Sequence, residues 1–361
     1  MKKFAFLVHV RNSYRIDLAA VARPFGWLPE SFYENAMRNR PLRPFVWSKV
    51  TLSPGATEAE GYVIMVPYSG KQLLSQQRAM MPRIEQAVDL ASSLGAGVVG
   101  LGALTSPVTL GGKLLTGRDD VSITNGNAFT AVITWRRMAQ LIDESPSYRP
   151  TVAIVGASGS VGHLVSQLLA RHQPDADYLL IARNERRLNA LAWEMTGLNP
   201  LVEPQVSTDM ESVRKADIVL LLTSSSEALL QSRHLKPGAV VLDDTVPRNT
   251  NPALLDQRPD VTIIDGGLVS MPYLHTSRDI GLPDQTSYAC LAETMLLSLA
   301  NHEGHFSIRN PTLEQAEYIG ELARQYSDFG FRPAADHSFC VPMKTAARFQ
   351  HSYSRSPASA V

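Results

Sequence analysis

Short apolar runs rich in β-branched residues alternate with stretches of helical period along most of the chain, and this alternation carries the fold prediction. Lys3–Val10, Tyr62–Pro67 and Ala96–Leu104 read as strands, with Arg11–Arg23 as loop then helix. Between the second and third strands, Leu73–Leu94 keeps one helical face through Leu73, Leu74, Gln77, Met81, Ile84, Val88 and Ala91. Ser122–Ile133 is a further apolar run, interrupted by Asn125-Gly126-Asn127, and Thr130–Ile142 continues as a helix. Thr151–Val155, Tyr178–Ala182, Ala216–Thr223, Ala239–Asp244 and Thr262–Asp265 follow as strands, with helical period over Val161–Ala170 and Arg187–Thr196. Leu282–Asn301 reads as one apolar helix, with Pro283 and Asp284 as start residues and Thr286 or Ser287 as alternative caps. The alternation predicts an α/β protein: a Rossmann-type, doubly wound, mostly parallel sheet preceded by a second, N-terminal α/β substrate domain. The proline-bearing stretch Asp143–Pro150 puts a boundary between them. The expected division is 1–146, an N-terminal substrate domain; 147–280, the dinucleotide domain; 281–334, C-terminal helices carrying Cys290 and packing between the two; and 335–361, a partly disordered tail.

Thr151–Val155 runs into Gly156, Gly159 and Gly162 at three-residue spacing, and a helical stretch follows. Strand, glycine turn and helix in that order form a dinucleotide-binding βαβ unit. Gly156 allows the tight turn, Gly159 lets the backbone approach a pyrophosphate, and Gly162 lets the helix pack close to the sheet. The N–H groups of the helix start then face the phosphates. Ser158, Ser160 and Val161 belong to the same turn. An NAD site usually carries an acid at the end of the second strand. Here that strand ends in Ala182-Arg183-Asn184, with Arg186 and Arg187 behind. Guanidinium groups suit a 2′-phosphate, so NADPH is expected, with Arg183, Asn184 and Arg187 at the cofactor. Ala216–Thr223 ends beside Ser224, and Thr223 and Ser224 either contact ribose or nicotinamide or cap the next helix.

Composition narrows the class. Lys+Arg and Asp+Glu balance at 34 each, which counts against a general nucleic-acid binder. Two cysteines, Cys290 and Cys340, imply neither a disulfide framework nor a Cys-rich zinc site, and no residue is assigned as a metal ligand. Sparse cysteine suits a reducing compartment, and a cytoplasmic protein is expected. The start MKKFAFLVHV is interrupted by Arg11, Arg15 and Asp17, and reads as a strand rather than a signal peptide. No apolar run approaches a membrane span, while peripheral membrane contact stays open.

Cys290 falls in the first two turns of its predicted helix, where the dipole favours a thiolate. Glu293 lies one turn on, on the same side. Alone, the cysteine also reads as a small buried hydrophobe. The words around it resemble those of the fatty aldehyde-forming long-chain acyl-ACP (acyl carrier protein) reductases of cyanobacterial type, and the similarity touches most of the chain in several places. Leu74–Arg78 (LSQQR) opens the same kind of helix, and Gly102–Ser106 precedes the same break. Gly126-Asn127 and Thr130-Ala131 are similar to the family's TTGNTHTAY. VAIVGASGSVG and LLIARNERRL are similar to its GATGDIG and LLIARNRQRL. Asp265–Val269 resembles its double-glycine turn, Phe329-Gly330-Phe331 its HGF, and Tyr288–Glu293 (YACLAE) its FACFAEA, whose cysteine accepts the acyl group.

The resemblance implies that Cys290 takes a fatty acyl group from acyl carrier protein or CoA, that NADPH reduces the resulting thioester, and that a fatty aldehyde leaves, to be reduced further or passed to a downstream aldehyde-consuming enzyme. Glu293 and Asn127 join Cys290 as candidate catalytic residues, with Asn127 or backbone N–H groups near Cys290 as oxyanion donors. The chain departs from the family pattern at Phe129, where that pattern has histidine, at Gly159-Ser160, where it has Gly-Asp, and at Leu110-Gly111-Gly112, where it has acidic and aromatic residues. Two other readings compete. A shikimate-dehydrogenase-like NADP oxidoreductase needs a Lys–Asp pair, and Lys71 and Lys113 have no Asp in a matching motif. A non-enzymatic NADP-binding sensor has no use for a reactive Cys290.

Overall fold

The computed structural model describes residues 2–10, 14, 24, 27–33, 42–223, 229–245 and 248–343, apart from the side chain of Lys71. Ser224, the tail beyond Met343 and the expected Arg11–Arg23 helix, Tyr14 excepted, lie outside the described residues. In chain order the elements are β1 (Lys3–Val10), β2 (Phe45–Thr51), β3 (Gly61–Ser69), α1 (Gly70–Ser75), α2 (Gln77–Ser93), β4 (Ala96–Leu101), β5 (Ser122–Thr124), α3 (Asn127–Asp143), β6 (Thr151–Val155), α4 (Ser160–His172), β7 (Asp177–Ile181), α5 (Glu185–Leu198), β8 (Gln205–Ser207), β9 (Ile218–Leu221), β10 (Val240–Asp243), β11 (Thr262–Asp265), α6 (Ala289–Leu299) and α7 (Leu313–Gln325), with shorter pieces between. The chain divides into two compact units, Met1–Phe129 with Met271–Arg332, and Thr130–Ser270 with Pro333–Val361.

The first unit is built on a sheet of order β2-β3-β1-β4-β5, with His275–Thr276 paired antiparallel on the outer side of β2. β3, β1, β4 and β5 run parallel, and β2 is antiparallel to β3. Parallel strands covered on both faces read as continuous apolar runs, and β3 is buried along its length up to Ser69. The helix expected over Leu73–Leu94 is two helices. A capping box of Ser69 and Gln72 starts α1, and Gln76, at φ −130, leaves helical geometry before α2 begins. The apolar period continues across that single residue, so periodicity alone does not reveal the break.

The helix expected over Leu282–Asn301 starts later than its proline. Thr286 donates to the carbonyl of Pro283 from both its amide (3.2 Å) and its hydroxyl (2.6 Å), with Gln285 at φ 56, which closes a turn. An extended segment, Thr286–Tyr288, follows, and α6 begins only at Ala289. α6 is buried without a break from Leu291 to Ser298, as expected of a helix apolar on every side, and packs on β1 and β4. A Cβ added at Gly100 of β4 would lie 2.0 Å from the hydroxyl oxygen of Thr294, so the missing side chain is what lets α6 sit this close to the sheet.

The second unit is a six-stranded sheet of order β11-β10-β9-β6-β7-β8, every neighbouring pair parallel. Numbered from β6, this is the 3-2-1-4-5-6 order of the doubly wound dinucleotide-binding fold, so the expected Rossmann-type α/β class is the one observed. Its strands hold the core: Ala153, Ile154, Val219, Leu220, Val241 and Leu242 are fully buried. Within the stretch expected as a tail, His337–Ser338 and Val341–Pro342 form a two-stranded hairpin. Asp265, at the end of β11, accepts from the amides of Phe339 (2.9 Å) and Cys340 (2.7 Å) and pairs with Arg248. Among the described residues no helix is long and apolar enough to cross a membrane.

Candidate active site

In the first unit the turn after β5 packs against Cys290 at the start of α6. Tyr288, extended at φ −68 and ψ 142, precedes Ala289, so Cys290 is the second residue of α6. The later helix start thus brings the half-buried thiol closer to the helix N-terminus than the sequence placed it. Its carbonyl accepts from the hydroxyl of Thr294 at 3.1 Å. Gly126, at φ +79, lies directly against it: a Cβ there would be 2.2 Å from the Cβ of Cys290 and 2.5 Å from its Cα. Left-handed backbone and the absence of a side chain are both required at this position.

Glu293, one turn along α6, has no exposed surface. Its Oε2 accepts from the amide of Phe129 at 2.6 Å, its Oε1 from the hydroxyl of Thr124, and the amides of Gly126 and Ala128 also point to it. The carboxyl is therefore the cap of α3, supplied from another helix. Burial outweighs these donors and pushes it up to about 7. Asn125 completes the turn. Its Oδ1 accepts from the amide of Asn127 (3.0 Å) and the hydroxyl of Ser307 (2.7 Å), and its Nδ2 donates to the carbonyl of Arg309 (3.0 Å). Asn127 itself is half-buried at the first position of α3. The structure thus brings Cys290, Glu293 and the Gly126-Asn127 turn together.

Thr124, Asn125 and Ser307 were missed as site residues. The run of small polar residues ending the β5 stretch was the available signal for the first two, and nothing local marks Ser307. Phe129, the position of the family histidine, is fully buried and meets Phe331 edge-on, ring centres 6.3 Å apart. It packs the core and offers no proton-transfer group.

In the second unit the glycine turn joins β6 to α4. Gly156 has φ +92, and a Cβ on it would lie 2.7 Å from the carbonyl oxygen of Leu222. A Cβ on Gly162 would lie 2.4 Å from the carbonyl oxygen of Gly156. Both are forced by the turn and by helix–sheet packing. Gly159 is exposed and starts α4, a Cβ there standing 3.1 Å from the Gly156 oxygen. Ser158, Ser160 and Val161 are half-buried beside it. The cradle fits a pyrophosphate: Gly159, exposed and without a side chain, leaves the backbone open to it, and the first turn of the 13-residue helix α4 follows. Arg183 and Arg187 are exposed past the end of β7. Asn184 caps α5, its side chain accepting from the amide of Arg187 at 3.0 Å. The hydroxyl of Thr223, just beyond β9, donates to the side chain of Asn249.

Comparison with known proteins agrees with this cradle. Residues 151–252 match the family model described as semialdehyde dehydrogenase, NAD binding domain. The aminotransferase PigE of a Serratia species is 28% identical over 339 residues, covering 90% of this chain and 39% of its own. A long-chain acyl-(acyl-carrier-protein) reductase of Synechococcus elongatus is 28% identical over 225 residues, covering 59% of this chain and 62% of its own. The chain thus spans less than two thirds of either relative. Among solved structures, the dipicolinate synthase of Bacillus halodurans aligns, through one of its subunits, at a TM-score of 0.32 with 18% identity, over 47% of this chain and 58% of that one.

Proposed function

We propose that the protein is an NADPH-dependent oxidoreductase that converts a long-chain fatty acyl thioester, carried by acyl carrier protein or CoA, to a fatty aldehyde through an acyl group on Cys290. The observation that carries this reading is the setting of Cys290. The thiol starts a buried helix, is pressed against a left-handed glycine, and belongs to a chain that also holds a dinucleotide cradle. The sequence match to an acyl-ACP reductase supports the substrate class. Arg183, Asn184 and Arg187 at the end of β7 support NADPH over NADH.

The Sγ of Cys290, favoured as a thiolate by the α6 N-terminus, attacks the thioester carbonyl. The carrier's C–S bond breaks, its thiolate leaves and takes a proton from solvent, and the acyl group stays on Sγ. Amides at the start of α6 and the carboxamide of Asn127 hold the negative charge that develops on the carbonyl oxygen. NADPH, when bound, would supply the hydride that reduces the acyl carbon, and Gly156–Gly162, with Ser158, Ser160 and Val161, would hold its pyrophosphate. The Cys290 C–S bond then breaks, releasing aldehyde and restoring the thiolate. Glu293 acts on the geometry: it fixes the turn that presents Gly126 and Asn127 to the thiol.

Intact-protein mass spectrometry after mixing with palmitoyl-ACP or palmitoyl-CoA, without NADPH, tests this. The expected result is one palmitoyl adduct mapped to Cys290, absent from Cys290→Ser and discharged to hexadecanal by NADPH. No adduct with either carrier refutes the covalent route and returns Cys290 to a packing role.

A further inference from the structure

Asp244 immediately follows β10, and the chemistry above leaves it without a task. Its Oδ2 accepts from the hydroxyl of Thr134, a fully buried residue of α3. Its amide donates to the carbonyl of Leu221 at 3.1 Å, which fixes the backbone. Among the described residues no donor reaches Oδ1. The contrast with Asp243 is sharp. Both oxygens of that neighbour are filled by Thr245, Asn249 and Thr250, so it organises the turn after β10. Asp244 organises nothing beyond Thr134. Burial, aided by the charge of Asp243, pushes its carboxyl up to about 7. Asp244 is half-buried, so its Oδ1 stands at the edge of the core with no protein donor and stays available to a ligand.

The turn beyond β11 keeps that oxygen uncovered. A Cβ on Gly267, at φ +65, would lie 2.3 Å from Oδ1 of Asp244, and one on Gly266 would lie 2.6 Å from its Cβ. The double glycine therefore leaves open a space that any side chain would close.

The sheet order says what ligand belongs there. Dinucleotides in this fold lie across the carboxyl ends of the strands, with the pyrophosphate at the turn after the first strand. That turn follows β6. Arg183, the expected partner of the adenosine 2′-phosphate, follows β7 on one side of β6, and Asp244 follows β10 on the other. A dinucleotide with its adenosine end at Arg183 extends its nicotinamide end toward β9 and β10.

We propose that Asp244 is a nicotinamide-binding residue, its Oδ1 hydrogen-bonding the carboxamide of the cofactor while Thr134 holds its Oδ2. Protonated, Oδ1 donates to the carboxamide oxygen. Ionised, it accepts from the carboxamide N–H. This rests on the cofactor reading above, and the test separates the two. Isothermal titration calorimetry measures NADP⁺ and 2′-phospho-ADP-ribose, the same molecule without nicotinamide, on the wild type and two variants. In Asp244→Ala, NADP⁺ binding falls about tenfold, equivalent to about 1.4 kcal/mol, while 2′-phospho-ADP-ribose changes less than about twofold. In Asp244→Asn the oxygen still accepts from Thr134 and the amide still donates outward, so NADP⁺ stays within about threefold of wild type. Equal loss of both ligands in the alanine variant, loss of neither, or an asparagine variant as weak as alanine overturns the assignment alone. A wild-type protein that binds neither ligand overturns the assignment and the cofactor reading together.

Discussion

Replacing Gly126 with alanine places a methyl group where Cys290 already is. The new carbon would stand 2.2 Å from the Cβ of Cys290, 2.5 Å from its Cα and 3.1 Å from its carbonyl oxygen. Carbon atoms at rest lie about 3.5–4.0 Å apart. Neither side yields easily. The turn is tied down by Glu293, Asn125 and Ser307, and Cys290 begins a helix buried from Leu291 to Ser298. Two costs add. Holding alanine at φ +79 costs about 1–2 kcal/mol, and relieving the overlap in a packed interior costs about 1–3 kcal/mol. The total, about 2–5 kcal/mol, is read as a shift of the urea midpoint at unchanged slope. Gly55 supplies the control, since it has φ +75 and nothing within 4 Å of an added Cβ. Gly55→Ala therefore isolates the backbone cost, and the excess in Gly126→Ala is the contact with Cys290. Equal destabilisation by the two substitutions would refute the packing of the turn against the thiol.

Glu293 titrates near 7 in the folded chain against an ordinary 4.5. The native state then holds this proton more tightly than the unfolded chain, so its contribution is fully present below 4.5 and is lost as pH rises through 7. A shift of that size is worth about 3 kcal/mol. Wild-type stability measured relative to Glu293→Gln is expected to fall by about that amount between pH 4 and pH 8, and a pH-independent difference would exclude a protonated carboxyl at the cap. Arg183→Ala is expected to weaken NADPH about tenfold and NADH little, because it removes a charge-assisted partner of the 2′-phosphate alone. Fluorescence titration with both cofactors decides it, and equal losses would remove Arg183 from the specificity role.

How much was legible in the sequence depended on how local each constraint is. The Gly156–Gly162 turn was readable because the contacts that demand glycine at 159 and 162 lie within the same turn, and only those at Gly156 come from elsewhere, from Leu222 and Thr223. β1 and β11 fall on the residues expected of them, Lys3–Val10 and Thr262–Asp265, because both are continuous apolar runs. β2 was overlooked. Ser48 and Lys49 interrupt its apolar run, and its pairing with β3 shifts register between Val46 and Ser48, so it shows no period of two. α6 was placed too early because Pro283 and Asp284 look like a helix start, whereas the bonds from Thr286 turn them into a closed loop.

What the sequence determined by itself was the α/β class, the dinucleotide cradle and the suspicion attached to Cys290. Strand, turn and helix are short-range patterns, and a cysteine near a helix start is one too. The tertiary structure alone decided that Gly126 is the surface against Cys290, that Glu293 caps a helix 164 residues away in sequence, and that Thr134 holds Asp244 across a separation of 110. Such partners share no period and no spacing. They meet because parallel sheets bring the carboxyl ends of distant strands to one edge, where buried carboxyl groups must take whatever donors the neighbouring helices supply.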